Sequence, residues 1–272
     1  MEHVVRSDKN TQKFVLDYQD VEIIACSIFD PNMIFVANSS KIFHDCPQKT
    51  ASTISDFQPR TWIPSRKLIK LMTRQVQIGV SALGGAVSTI SKWDSIEPSR
   101  RALFVGASPQ TMQSDIDDAL SSSKVHEQFS LEQFAKEGVK HIHPLWLVKG
   151  LSNNILGFSS AFWDCQGVNS NYCNGVLGGK IALEESIWAL LEHRCDVAIV
   201  GAADDVRQAE LFLGEKGNES AAFLVIQRKQ GARIQLCQSH IDELTSKFGM
   251  CGASTWPLAL AYSWKKTLYP MT

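Results

Sequence analysis

The sequence predicts a layered α/β fold in which one helix lies inside the layers. Residues 167–205 carry the pattern, with a candidate strand at 167–173, an apolar helix at 176–194 and a second strand at 196–205. A strand, a helix and a strand in this order form a βαβ crossover, the unit of parallel sheets. The helix is apolar on nearly every side, which indicates that more than one of its faces is covered.

Local patterns predict the elements of the N-terminal half. Apolar, β-branched runs at 21–29 and 102–107 are typical of buried strands. Apolar residues recur at spacings of three and four from Leu68 to Leu83, which predicts a long helix that Gly84 and Gly85 weaken or end. Residues 30–63 carry three prolines and many small polar residues and are predicted to be mainly loop, and residues 110–141 to be helical.

Two strands and a helix are predicted for the C-terminal part. The strands cover 221–228 and 233–239, and Gln230-Gly231 suggests a tight hairpin between them. The helix covers 253–265, with Pro257 in its first turn, where the missing N–H does no harm.

Composition excludes several classes of function. The chain has 272 residues and a net charge of -1, and no run of Lys and Arg that would track phosphates, so nucleic acid is not an expected partner. The apolar runs stop short of the ~18 residues that a membrane span needs. The polar start resembles no signal peptide, so a cytoplasmic location is expected.

The seven cysteines are scattered, odd in number and without a CxxC pair, which argues against a disulfide framework and a structural zinc site. His141 and His143 could share a strand face and hold a metal, but no third ligand is evident, so no metal is predicted.

Residues 167–205 resemble the β-ketoacyl synthase family. The likeness starts at the Gly167-Val168-Asn169 turn, and the position of the family's nucleophilic cysteine, nine residues beyond Gly167, is held by Val176. Without a gap, the family's other motif positions fall on Gly178, Gly179, Ala182, Glu185, Asp196 and Gly201.

Looser likenesses extend this to both sides. Residues 219–226 (ESAAFLVI) are similar to the strand that closes the family's N-terminal half, and 248–258 (FGMCGASTWPL) to its Gly-His-x-x-Gly-Ala motif. Aligned on Gly252-Ala253, the position of the family's second histidine is Gly249. Only about twenty residues separate these two motifs, so most of the family's C-terminal half has no counterpart.

The resemblance implies a truncated, thiolase-like layered αβα(βα) fold with a buried central helix. The expected divisions are a polar lead-in at 1–20, a ketosynthase N-terminal-like domain at 21–245 and a remnant of the C-terminal half at 246–272.

The chemistry of condensation needs a thiolate to carry the acyl chain and imidazoles to promote decarboxylation. Valine and glycine supply neither. The resemblance therefore implies a non-catalytic, chain-length-factor-like subunit in type II fatty acid, polyketide or aryl-polyene-type biosynthesis. Its implied partners are an active ketosynthase, whose acyl tunnel it shapes, and an acyl carrier protein, and no cofactor is implied.

Three alternatives stay open. Cys173 lies three residues before Val176 and could serve an acyl-thioester hydrolase or acyltransferase, though it is also a common type of buried strand residue. The chain could instead be a homodimeric scaffold.

The candidate tunnel or interface residues are Phe158, Phe162, Trp163 and Tyr172, which could equally be core. The resemblance also implies that the strand at 169–173 pairs across a two-fold axis, as the corresponding strand of the family does.

Overall fold

A seven-stranded mixed sheet organises the chain. The computed structural model describes residues 13–47, 52–55, 57–108, 113–207 and 214–269. The strands of the sheet are β1 (Phe14–Asp30), β2 (Met33–Asn38), β3 (Ile42–Pro47), β4 (Arg101–Ala107), β7 (Asn169–Cys173), β8 (Val197–Asp205) and β9 (Glu219–Cys237). Their order is β3-β2-β1-β9-β8-β4-β7, and a separate two-stranded ribbon joins β5 (Lys124–Val125) and β6 (Gln128–Phe129).

Helices cover both faces of the sheet. They are α1 (Arg66–Ile69), α2 (Arg74–Ser88), α3 (Gln113–Ser121), α4 (Leu131–Gln133), α5 (Val139–His141), α6 (Trp146–Lys149), α7 (Asn154–Phe162), α8 (Gly175–Leu191), α9 (Gln238–Phe248) and α10 (Thr255–Leu268). Alternate strand residues enter opposite cores, so Phe223 packs with α2 and α7 and its neighbour Leu224 packs with α8 and α10. The result is a three-layered α/β/α arrangement.

The predicted βαβ unit is confirmed as β7, α8 and β8. All three strands at this end, β7, β4 and β8, are parallel, and β4 lies between the other two. Strand β9 runs antiparallel to both β8 and β1. Because β4 and β8 are covered by helices on both faces, they are almost wholly buried and read as continuous apolar runs.

Strand β1 begins well before the predicted position at residue 21. Its first residues belong to the predicted polar lead-in, whose residues 1–12 lie outside the described part of the chain. In this segment Leu16 is buried and Tyr18 packs edge-on against Trp188, while Asp17 points outward to a bidentate ion pair with Arg233 on β9. The strand partner lies some two hundred residues away, so local composition does not reveal it.

The predicted hairpin at Gln230-Gly231 is wrong, because β9 continues through it in one direction. One residue of β1, Asp20, faces four residues of β9, 229–232, which bulge out between the paired residues Arg228 and Arg233. Gly231 adopts a left-handed φ of 77°, and its N–H donates to the Asp20 carboxylate at 2.8 Å. The glycine thus marks a wide bulge and not a reversal.

The long helix predicted around Leu68 to Leu83 is divided into α1 and α2 by residues 70–73. Helix α2 then continues through Gly84 and Gly85, which were predicted to weaken or end it. A Cβ on Gly84 would lie 2.5 Å from the Trp163 ring, and one on Gly85 would lie 3.1 Å from Val36. Both glycines therefore serve close packing of α2.

Two segments differ from their predicted secondary structure: one has more regular structure than predicted, and the other is interrupted where a helix was predicted. Residues 30–63, predicted to be mainly loop, contain β2 and β3, and residues 110–141 contain the β5–β6 ribbon and a π-helical turn between α4 and α5.

The central helix α8 is covered on two sides, by the sheet and by α10. Its third side is open in the described chain: Val176, Leu177 and Trp188 are exposed to 42%, 54% and 38%. The prediction that more than one face is covered is confirmed, but the helix of the single chain is only partly buried.

Glycines set how closely α8 packs. A Cβ on Gly106 of β4 would lie 2.6 Å from the Gly179 backbone, and one on Gly179 would overlap the Ala253 carbonyl oxygen. The helix therefore touches backbone on both covered sides.

We expect Gly179→Ala to lower the free energy of unfolding by ~2 kcal/mol or more, because the added methyl meets backbone that cannot rotate away. Gly157→Ala is the matched control in α7, where a Cβ meets nothing within 4 Å. It should be neutral or stabilising by up to ~1 kcal/mol through helix propensity. Urea denaturation followed by circular dichroism measures both, and equal effects would contradict the packing described here.

Candidate functional site

The junction between β7 and α8 forms the head of the central helix. Strand β7 ends at Cys173, the chain turns at Asn174 and at Gly175 with a φ of 50°, and Val176 is the second residue of α8. None of the three residues after Cys173 carries a thiol or hydroxyl. Cys173 itself is exposed at the end of the strand.

The two motif glycines after Val176 make the junction compact. Gly178 donates its N–H to the Asn174 carbonyl at 3.2 Å, and a Cβ on it would overlap the Tyr172 carbonyl oxygen. Further along α8, Ala182 is fully buried against the sheet and Glu185 is half-buried.

The remaining motif residues hold the strands around α8. A Cβ on Gly167 would lie 2.7 Å from the Arg101 carbonyl oxygen, and the amide of Asn169 donates to the Gly167 carbonyl at 3.2 Å. Asp196 forms an ion pair with Arg100 at 2.8 Å, which ties the start of β8 to that of β4. Gly201 lies under the Phe223 ring of β9, where a Cβ would be 2.6 Å from ring carbon.

The segment 249–254 lies beside the first turns of α8. Gly249 follows α9 with a φ of 77°, and Gly252 has a φ of 54° and opens a 3₁₀ turn, Gly252–Ser254. This turn packs against Gly179 of α8. The structure therefore brings Gly249's segment and Val176's helix head to one end of the molecule, and Gly249 supplies no imidazole there.

Asp204 fastens this turn to the sheet. It ends the buried part of β8, is 2% exposed, and accepts hydrogen bonds from the Ser108 hydroxyl, from Ala253 N at 2.8 Å and from Asp205 N at 3.0 Å. Burial raises the pKa of the Asp204 carboxyl. Because its carboxylate accepts from three donors inside the protein, its role is to position the turn.

A second set of polar contacts secures the same segment to the start of β9. The hydroxyls of Ser220 and Ser254 are 2.6 Å apart, and Asn218 donates to the Phe248 carbonyl at 2.9 Å. Burial raises the pKa of the adjacent Cys251 thiol to about 11, so this thiol is protonated at neutral pH and is a poor nucleophile.

Glu219, completely buried at the first position of β9, completes the polar end of the sheet. Its carboxylate accepts from Arg74 Nε and Nη2 at 3.1 and 2.8 Å and from Ile54 N, and Arg207 lies 3.6 Å away. Sequence likeness marked Glu219 only as part of a strand motif. Its two arginine partners lie 145 and 12 residues away along the chain, and no local pattern indicates them.

The four aromatic candidates do not form one group. Phe158, Phe162 and Trp163 pack with α2 on one face of the sheet, and Phe162 meets Trp163 edge-on at 5.8 Å. Tyr172 packs into the opposite core beside α8. The sheet therefore separates Tyr172 from the other three.

His141 and His143 do not share a strand, because His141 ends the short helix α5. The ring nitrogen of His143 accepts the Leu145 N–H at 3.0 Å. Within the described ranges, no three His, Cys, Asp or Glu side chains are grouped so that they could hold a metal ion. The described helices include none with the length and apolar character that a membrane crossing requires.

The layer order and the central helix define a thiolase-like fold of the ketosynthase type. Three solved structures have this fold. A chain of AntDE:AntF, a type II PKS acyl-carrier protein in complex with its ketosynthase bound to the hexaketide, has a TM-score of 0.61 at 15% identity over 92% of this chain and 83% of that chain. A β-ketoacyl synthase from Burkholderia phymatum STM815 has a TM-score of 0.56 at 14% identity over 78% and 59%.

The ishigamide ketosynthase/chain length factor has a TM-score of 0.59 at 16% identity over 77% of this chain and 58% of that chain. This chain therefore spans less than two thirds of the length of two of the three structures. No protein-family model matches the sequence, and the search of curated proteins finds no match.

We expect Asp204→Ala to lower the free energy of unfolding by about 2–3 kcal/mol, because it leaves Ala253 N–H and Ser108 without their buried acceptor. Asp204→Asn keeps an acceptor and should stay within ~1 kcal/mol of wild type. The raised pKa means that the carboxyl contributes most to stability when protonated and that this contribution is lost as pH rises through the folded-state pKa.

The Asn variant, which cannot ionise, should therefore gain on wild type as the pH rises above about 4, the usual pKa of an unfolded aspartate. Urea denaturation at several pH values measures this, and parallel profiles for the two proteins would sink the assignment.

Proposed function

We propose that the chain is a non-catalytic, chain-length-factor-like subunit that pairs with an active ketosynthase and shapes its acyl tunnel. The observation that carries the proposal is the head of α8, where the strand–turn–helix junction leads to Val176, a side chain without a thiol. A condensing enzyme must hold the acyl chain as a thioester at its nucleophile, and valine forms no such bond. The proposal extends to type II fatty acid, polyketide or aryl-polyene-type biosynthesis on an acyl carrier protein.

Surface chemistry supports pairing at this end of the molecule. Strand β7 is an edge strand with no neighbour on its outer side in the described chain, and unpaired edges favour association with another strand. Beside it, Leu177, Ile181 and Trp188 lie four and seven residues apart and share the open face of α8. A partner that pairs with β7 would cover this apolar face as well.

The structural neighbours point the same way, since one is a ketosynthase/chain length factor and another contains a ketosynthase with its acyl-carrier protein. The proposal includes a division of the chain into a ketosynthase N-terminal-like domain at 21–245 and a remnant of the C-terminal half at 246–272. A cytoplasmic location also belongs to it.

Cys173 supports a second candidate function. It is exposed next to the helix head, whereas Cys26, Cys165, Cys195, Cys237 and Cys251 are buried. An accessible thiol there could carry an acyl group in a hydrolase or acyltransferase. A homodimeric scaffold is the third possibility, since the β7 edge could equally pair with its own copy.

Co-expression with a complete type II ketosynthase and its carrier protein should yield a heterodimer by light scattering after co-purification. Leu177→Asp should weaken this association at least tenfold, because it places a charge where pairing would bury a leucine, worth about 2 kcal/mol. The matched control is Phe43→Asp, an exposed apolar residue on β3 at the opposite sheet edge.

A homodimer without ketosynthase would favour the scaffold. A monomer in every mixture, or equal loss in both variants, would refute pairing through α8.

Incubation with an octanoyl carrier-protein thioester should leave the chain without a covalent acyl adduct, since Val176 provides no nucleophile. Intact-mass spectrometry measures this, with an active ketosynthase as the positive control and Cys173→Ser as the matched variant. An adduct that appears on wild type and vanishes in Cys173→Ser would establish the acyltransferase candidate instead.

A further inference from the structure

A small cavity lies between α9, α10 and the turn that joins β1 to β2. Its volume is about 220 Å³, and apolar or aromatic side chains dominate its walls: Met33, Leu244, Phe248, Ala259, Tyr262 and Tyr269. Sites for drug-sized ligands have volumes of about 300–1,000 Å³, so this cavity suits a smaller molecule.

The walls are held in place by hydrogen bonds and ring contacts. The Tyr262 hydroxyl donates to the buried Asp30 carboxylate at 2.6 Å, and its ring lies 5.7 Å from that of Phe248. The Tyr269 hydroxyl donates to the Asn38 carbonyl at 2.7 Å. The cavity therefore exists before any ligand binds, which lowers the entropic cost of binding.

Positive charge exceeds negative charge among the side chains that line the cavity. Lys247, Lys265 and Lys266 face a single lining carboxylate, that of Glu243, which is already bound to Lys266 at 2.8 and 3.0 Å. The Lys247 ammonium lies 5.1 Å from the centre of the Phe248 ring, and the described residues place no carboxylate within 4.0 Å of it.

The positive charge of Lys265 is only partly balanced by nearby carboxylates. Its ammonium lies 3.8 Å from Asp45 and 4.2 Å from the centre of the Phe35 ring. Burial lowers its pKa even with Asp45 and Asp30 nearby. A ligand anion would stabilise its charged form.

His240 offers a further polar contact. Its Nδ1 is buried and has no hydrogen-bond partner within the described part of the chain. The side chain lines both this cavity and an adjoining groove of about 630 Å³, and Ser263 lines both as well. Buried polar atoms are nearly always paired in folded proteins, so this nitrogen marks the boundary of the cavity and the groove as a place that lacks a polar partner.

We propose that the cavity binds a medium-chain carboxylic acid, with the carboxylate held by the lysine ammonium groups and the alkyl body against Met33, Phe248 and Tyr262. Walls that combine aromatic and apolar side chains with a few ammonium groups select a molecule that has an apolar body and an anionic group. This site is distinct from the α8 head and does not depend on the proposed partner role.

Isothermal titration calorimetry of the full chain with octanoate tests the proposal. We expect a Kd on the order of 1 mM or tighter. Heptanoate should bind about fourfold more weakly for the lost methylene, and octanamide, a neutral analogue of the same shape, at least about tenfold more weakly because it has no charge for the lysines.

Two variants locate the site. Lys247→Gln, on the exposed side of α9, should weaken octanoate about fivefold or more, and Ser263→Phe should abolish binding by filling the cavity. Lys140→Gln, a lysine of α5 remote from the cavity, is the matched control and should bind as wild type does. Thermal melts confirm that each variant is folded. Absence of octanoate binding, equal binding of octanamide, or wild-type affinity in both cavity variants would each overturn the proposal.

Discussion

The close approach of α8 to backbone on two sides is the constraint on which the rest of the structure depends. Gly106 lets the first turns of the helix rest on β4, and Gly179 lets the turn at 252–254 rest on the helix. Close packing of this kind leaves no room for a methyl group on either side. The position of Val176 and the place of the C-terminal segment both follow from it.

Buried polar groups then hold the C-terminal segment where the glycines allow it to lie. Asp204 binds the turn to β8, Ser220 and Asn218 bind it to β9, and Glu219 gathers two arginines at the same end of the sheet. Each of these side chains binds a partner from a distant part of the chain, which ties the segments together at this end of the sheet. Helix α8 thus receives a second covering layer from α10, while its third side stays open.

The sequence predicted best where one pattern governs a whole element. The run from β7 through α8 to β8 has a clear order of strand, apolar helix and strand, and the structure has these three elements in that order. Prediction from the sequence failed where distant partners decide the structure. One case is the start of β1, whose Asp17 pairs with Arg233, and another is Gly84, which packs against Trp163 and does not end its helix. The site at the polar end was predicted in part, because glycine spacings mark the α8 junction and nothing local marks the partners of Glu219.

The wide bulge of β9 makes the ladder between β1 and β9 tolerant of changes in chain length at one point. A slip of a single residue elsewhere in a strand exchanges the faces of all its side chains. Residues 229–232, in contrast, have no ladder partner on β1. They contact it through the Gly231 N–H, which donates to Asp20, and through the ion pair of Lys229 with Glu22, so added or missing residues there leave the flanking ladder in register. Evolution can therefore lengthen or shorten this chain at the bulge while both cores keep the side chains they have.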